Sequence, residues 1–253
     1  MDYTIAQDFV LPSKGLIYSK SVNPNIKLRS MTTIEEMKRL AYSDTPYKTL
    51  AEIIDDCMVT KPGISSYDMC IGDYQFLLHR LRMVTYGKDY NTQAICPYCG
   101  TKINSVINLE DLSVIEWDEN ADIASLLEFK LPVTGKNIKI RIQTPHMTDD
   151  MMLRKKDIQK RFPDMQGDVS ILLLVSSLIE TVDGQVLDAV KLETFVKNLP
   201  MRDTNTIIKK ADKVNMMIGI DTTIHNTCTN SACGKSFDSS FRLTSEFFGP
   251  SVD

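Results

Sequence analysis

Six cysteines occur in this chain of 253 residues, and four of them fall in two short pairs. Cys96-Pro-Tyr-Cys99-Gly and Cys228-Thr-Asn-Ser-Ala-Cys233-Gly lie about 130 residues apart. Each pair reads as a metal knuckle, a tight turn whose two thiolates point the same way. The glycine after the second cysteine takes the positive φ that a Cβ would resist. One pair cannot fill a tetrahedral zinc shell, whereas two can. The spacing therefore predicts one structural zinc held by Cys96, Cys99, Cys228 and Cys233. An all-cysteine shell is closed to water and substrate, which argues against catalytic zinc.

Disulfides, a redox-active CxxC and unbound thiols compete with this reading. Residues 1–8 carry neither a basic n-region nor an apolar h-region, so an oxidising compartment is not expected. A redox-active pair would open a helix after a strand. Here Cys99 is followed by Gly100-Thr101-Lys102-Ile103-Asn104-Ser105-Val106-Ile107, which alternates like a strand leaving a turn. His225, three residues before Cys228, is an alternative ligand, although a strand or loop histidine is the simpler reading. Cys57 and Cys70 sit in apolar helical surroundings and are expected to pack as small hydrophobes.

The elements that position the knuckles follow from punctuation and periodicity. Thr222–His225 precede the second pair and Lys235–Asp238 follow it, so strand, knuckle, strand occurs twice, the pattern of a zinc ribbon. The first thirty residues are extended, with Pro12 and Gly15 interrupting an apolar segment. A helix is predicted from Thr32 or Thr33 with a capping box to Glu35 or Glu36 and an inner face of Met37, Leu40 and Ala41. A second opens at Thr45-Pro46 and carries Leu50, Ile53, Ile54, Cys57 and Met58. A third runs from about Asp73 to Gly87, with Arg80 and Arg82 read as solvated or ion-paired. The acidic stretch Glu110–Asp122 holds the single tryptophan, Trp117, and reads as a solvated face or a contact for a basic partner.

Phe129–Val133 and Ile138–Ile142 alternate on either side of Thr134-Gly135-Lys136-Asn137, a β-hairpin. Helices are predicted over about 148–161, 169–180, 188–198 and 203–218, with a turn at Asp183-Gly184. The expected fold is thus α+β and mainly helical. An N-terminal arm and helical unit span 1–92, a zinc ribbon is split between 93–127 and 220–253, and a hairpin with a helical bundle is inserted at 128–219.

Composition narrows the function. An apolar fraction of 43% and a charged fraction of 25% suit a soluble, cytosolic globular chain. The net charge of −4 and the lack of dense Lys/Arg runs weaken a nucleic-acid reading. The remaining zinc-ribbon argument for one, Lys235, Phe237, Phe241 and Arg242, is thin. The apolar run from Ile171 to Ile179 is half a membrane span and is read as a core helix, so no membrane partner is expected. Thirteen methionines read mainly as gap-fillers of the core. Catalytic motifs are missing: there is no phosphate-binding glycine loop, no Gly-x-Ser-x-Gly and no His-Glu-x-x-His. His79 and His146 have no evident acid–base partner, and Asp149 and Asp150 read as first-turn helix charges. The chain is not expected to be an enzyme.

An ordered set of segments carries a resemblance. Leu11-Pro12-Ser13-Lys14-Gly15-Leu16-Ile17-Tyr18 is followed by Ile26–Glu36, then by Gly72-Asp73-Tyr74-Gln75-Phe76-Leu77-Leu78. Arg82-Met83-Val84-Thr85-Tyr86-Gly87 then leads into Cys96-Pro97-Tyr98-Cys99-Gly100. In this order the chain resembles the baseplate hub proteins of T-even-like, contractile-tailed bacteriophages. The resemblance implies a structural component of the virion tail baseplate, made in the host bacterial cytoplasm. It would act through contacts with hub, wedge, tube or tape-measure proteins, in several copies within a symmetric assembly. Zinc would be a staple between the ribbon halves. The stretch from Leu131-Pro132 to about Lys213, with its Val182-Asp183-Gly184 turn, is similar in order to tail assembly chaperones, which act during assembly and then leave.

Overall fold

The computed structural model describes residues 4–164, 166–241, 243 and 245–248. Arg242, Thr244 and residues 249–253 of the expected ribbon region lie outside them. The chain begins with two antiparallel strands, β1 (Ala6–Val10) and β2 (Asn25–Arg29), joined through the Leu11–Tyr18 loop. That loop is anchored rather than free. Buried Asp73 accepts hydrogen bonds from the Ser13 amide at 3.0 Å, from the Ser13 hydroxyl, and from the Tyr18 hydroxyl at 2.6 Å. Gly15 takes φ +73° with its Cα against the Val22 carbonyl, where a Cβ would overlap the oxygen.

Helix α1 (Thr33–Leu40) starts as expected, with Thr32 and Glu35 forming a capping box. Its orientation reverses the expectation. Met37 and Leu40 are 68% and 69% exposed, Ala41 is exposed, and the side turned inward carries Glu35, which accepts from Arg29 Nη2 at 2.7 Å. The ion pair and the cap hold the polar side against β2, leaving the apolar side outward. Helix α2 (Pro46–Cys57) buries Leu50, Ile53, Ile54 and Cys57. Thr45 makes no side-chain cap there; instead the buried Asp149 carboxylate accepts the amides of Tyr47 at 3.3 Å and Lys48 at 2.8 Å.

Helix α3 (Ile71–Tyr86) is the central rod, buried on most of its circumference. Arg82 is not solvated, the first of the two expected states. It is fully buried, and donates from Nε to the Phe247 carbonyl at 3.0 Å and from Nη1 to the Gly87 carbonyl at 3.1 Å. Arg80 lies over the Phe76 ring at 4.9 Å and the Phe9 ring at 5.6 Å. A guanidinium is weakly hydrated and planar, so carbonyl dipoles and ring faces can replace water around it. These elements and Phe247 and Phe248 build the main core.

Two hairpins follow from the knuckle segments: β3 (Asp89–Ile95) with β4 (Lys102–Asn108), and β10 (Thr223–Thr227) with β11 (Ser236–Ser240). The chain leaves the first through β5 (Val114–Ile115) and returns to the second through β9 (Gly219–Ile220), and these two short strands pair antiparallel. Gly72 of α3 meets this return directly, since a Cβ there would overlap the Ile218 carbonyl oxygen. Trp117 lies within the acidic stretch yet is buried with Ile17, Cys70 and Ile218, while Glu116 and Glu119 pair with Lys14. The stretch is therefore a solvated rim around a buried indole.

Between β5 and β9 lie α4 (Ile123–Leu127), β6 (Glu128–Lys130), β7 (Asn137–Ile140), α5 (Pro145–Arg161), α6 (Ser170–Leu178), β8 (Ile179–Val182), α7 (Ala189–Lys197) and α8 (Met201–Asn215). The β6–β7 hairpin pairs Phe129 with Ile138, as expected, and gains β8 as a third antiparallel strand on the far side of β7. The apolar run read as one helix thus bends from helix into strand at Ile179. Leu131, Ile138, Ile140, Val175, Leu178 and Ile207 form a second core beneath it. Asp203 in the first turn of α8 accepts the Val133 and Thr134 amides of the hairpin turn, at 2.8 and 2.9 Å.

Candidate metal centre

The site is built from two turns at hairpin tips. In the first, the Cys96 amide donates to the Thr101 carbonyl and the Gly100 amide to the Cys96 carbonyl, each at 2.9 Å. In the second, the Cys228 amide donates to the Lys235 carbonyl at 2.9 Å, while the Asn230 carbonyl accepts from the Cys233 amide at 2.9 Å and the Gly234 amide at 3.0 Å. Gly100 and Gly234 adopt φ +74° and +56°, the freedom for which glycine was expected at both places.

The two tips meet. All four Sγ atoms of Cys96, Cys99, Cys228 and Cys233 lie within 4.8 Å of one another. Cys96 to Cys233 is 3.9 Å and Cys99 to Cys228 is 3.5 Å. A disulfide requires sulfurs about 2.05 Å apart, and all six cysteines are free. A tetrahedral shell with Zn–S bonds of about 2.3 Å places its sulfurs about 3.8 Å apart. The donor set and its spacing therefore fit a four-thiolate metal shell. Cys96 and Cys228 are buried, Cys233 is half-buried and Cys99 is exposed. Hydrogen bonds from the Thr101 hydroxyl and amide draw the Cys99 thiol down to about 6. At Cys228 the Asn230 amide pulls the same way, but burial and the neighbouring thiols carry it up to about 12.

Other residues singled out from the sequence lie elsewhere. His225 projects from β10 toward Asp238, 2.6 Å from its carboxylate, and is not one of the clustered ligands. Cys57 and Cys70 are buried apart from the site, as expected, and the Cys70 sulfur also accepts the Asp73 amide at the start of α3. His146 stacks on Tyr67 and lies 3.2 Å from Asp68, beside a cleft of about 440 Å³ between α5, α6 and α7. The Asp150 and Arg154 side chains in that cleft pair with each other.

Two links between the knuckles, and one contact within the first, are not legible in the sequence. Asn230 Nδ2 donates to Thr101 Oγ1 at 3.4 Å, the Thr101 hydroxyl lies 3.2 Å from Cys99 Sγ, and Lys235 Nζ sits 4.6 Å above the Tyr98 ring. The spacing carries no shared signal for them: Thr101 stands two residues after the second cysteine of its pair, Asn230 two residues after the first of its own.

A family model described as T4 bacteriophage base plate protein matches residues 6–249, nearly the whole chain. The chain belongs to this family. No curated protein and no solved structure matches it. Membership of the base plate family bears out the resemblance drawn from the N-terminal segments, and it supports a structural role in the phage baseplate. It implies a location in the virion tail, and other baseplate or tail proteins as partners. Among the described residues, no helix is long and apolar enough to cross a membrane.

Proposed function

We propose that this base plate protein is a hub component of a contractile phage tail, working through protein–protein contacts and braced by one structural zinc. The baseplate reading rests on the family match over residues 6–249. The hub assignment rests on the ordered Leu11–Tyr18, Ile26–Glu36 and Gly72–Leu78 segments. The zinc reading rests on the four clustered sulfurs. Cys96, Cys99, Cys228 and Cys233 would hold the ion, which supplies a covalent-strength tie and no reactive position.

Within this reading the molecule is organised as an N-terminal unit (1–92), a split zinc ribbon (93–127 with 220–253) and an insert (128–219). The ribbon halves begin and end the insert, so the zinc holds the insert's direction, and repetition by symmetry turns weak contacts into a rigid ring.

Quantitative mass spectrometry of purified mature particles, with metal analysis of the isolated chain, tests this. A copy number matching tail symmetry and one zinc per chain are expected. Presence in assembly intermediates with absence from particles would make the protein a departing chaperone. Absence from both would end the hub reading.

A further inference from the structure

The four sulfurs are not equally protected, and the exposed one has a specific neighbour. Cys96 and Cys228 are shielded by Ile103 and Phe237, whereas Cys99 faces solvent. A shell of four thiolates around a divalent ion carries two excess negative charges, which outer hydrogen-bond donors must stabilise. At a buried sulfur the apolar cover also excludes competing water. At Cys99 that cover is missing, so directed donors carry the burden.

The donor is set by a relay that crosses from one knuckle to the other. The Asn230 Oδ1 atom accepts the Ala232 amide at 3.0 Å, which fixes the carboxamide's orientation and turns Nδ2 toward Thr101. Thr101 Oγ1 accepts that hydrogen bond. As a thiol, Cys99 Sγ donates to Thr101 Oγ1 at 3.2 Å; as a metal-bound thiolate it can only accept, and the hydroxyl, with Asn230 on its acceptor side, then turns its single proton to the sulfur. Asn230 also holds Cys233 and Gly234 through its carbonyl, so this residue touches both halves of the site.

We infer that Thr101, oriented by Asn230 of the opposite knuckle, is the positioning residue that keeps the solvent-facing Cys99 thiolate on the metal. The inference rests on the zinc reading above. It assigns the hydroxyl, not the methyl group or the β-branch, as the acting part.

The test compares wild type, Thr101→Val and Thr101→Ser as full chains, with zinc affinity measured by competition against a chromophoric chelator. The zinc-loaded proteins are also treated with iodoacetamide, and alkylation is mapped by mass spectrometry. Thr101→Val should bind zinc 10- to 100-fold more weakly, the range for loss of an outer-shell partner, with faster alkylation at Cys99 than at Cys96. Thr101→Ser should stay within about threefold of wild type in affinity, as rescue by a hydroxyl requires. Circular dichroism of the metal-free proteins checks that Thr101→Val folds. Should it not, Asn230→Asp serves instead; it retains the turn's acceptor and loses the donor to Thr101, with the same weakening expected. Equal affinity in Thr101→Val and wild type, or equal weakening by valine and serine, overturns the inference and leaves the zinc reading standing. A wild-type chain that binds no zinc removes both.

Discussion

At the scale of single residues, the molecule relies on polar side chains that bridge elements far apart in sequence. Asp149 belongs to α5 but satisfies the first amides of α2, and Asp203 of α8 does the same for the turn between β6 and β7. In each case a carboxylate takes two backbone donors that would otherwise be unpaired. Asp149→Ala should cost about 1–2 kcal/mol in urea unfolding, and Asp149→Asn less, because the carboxamide keeps one acceptor oxygen. Equal stability of Asp149→Ala and parent would mean that water replaces the carboxylate at α2. The cysteines form the other long bridge. On the proposed zinc reading, Cys99→Ser should release the ion and open the chain to limited proteolysis near the hairpin tips. A variant that loses metal yet resists protease like the parent would remove the structural role assigned to the ion. These residue-scale features differ in how far the sequence announces them. The knuckles are visible because each is a local spacing, whereas Asp149 as the cap of α2 and Thr101 as the neighbour of Cys99 depend on contacts that only the folded chain makes.

At the scale of elements, periodicity was a good guide wherever one helical face packs against the core. It placed α2, α3 and α5 to α8 close to their observed bounds, because a buried stripe at 3.6-residue spacing leaves a regular mark. It failed for direction in α1. An apolar stripe shows that a helix is two-faced, but not which face the rest of the molecule covers, and Arg29 binding Glu35 decides that here. It failed for β8, because the segment from Ile171 to Val182 holds no Gly, Pro or other breaker to separate helix from strand. The five residues of α4 are too few to establish a period. The outward face of α1 yields a prediction at this scale. Leu40→Gln and Met37→Gln should each change the stability of the isolated chain by no more than about 0.5 kcal/mol, as exposed sites do. Leu77→Ala in the buried face of α3 should cost about 2–5 kcal/mol. A loss comparable to Leu77→Ala at either α1 position, measured by thermal unfolding, would restore the inward orientation.

At the scale of the whole molecule, the chain's last described turn is packed onto its central helix. Phe247 and Phe248 are buried in the main core, Arg82 donates to the Phe247 carbonyl, and His79 stacks on the Phe247 ring. Neither ring nitrogen of His79 has a normal hydrogen-bond partner among the described residues. Burial, and then the positive charge of Arg80, push His79 down to about 3, far below its ordinary 6.5. The unfolded chain therefore binds a proton that the folded chain refuses. Stability is fully present above pH 6.5 and falls as pH drops toward 3, by about 1.4 kcal/mol per unit inside that window. Glu35, drawn down to about 2 chiefly by the Arg29 guanidinium, contributes in the same direction only below about 4.5. The interval from 6.5 to 4.5 thus isolates His79 from Glu35, with an expected loss of about 2–3 kcal/mol. The proposed zinc would also leave in acid as its thiolates protonate, so the informative quantity is the difference between the parent and His79→Phe at each pH. The phenyl ring can keep the stacking on Phe247 and cannot take a proton. Urea unfolding at pH 7, 5.5 and 4.5 should show the parent losing stability relative to His79→Phe at each step. Parallel pH profiles would mean that His79 gains its proton without leaving the core, and that the carboxy-terminal turn opens readily enough to admit water.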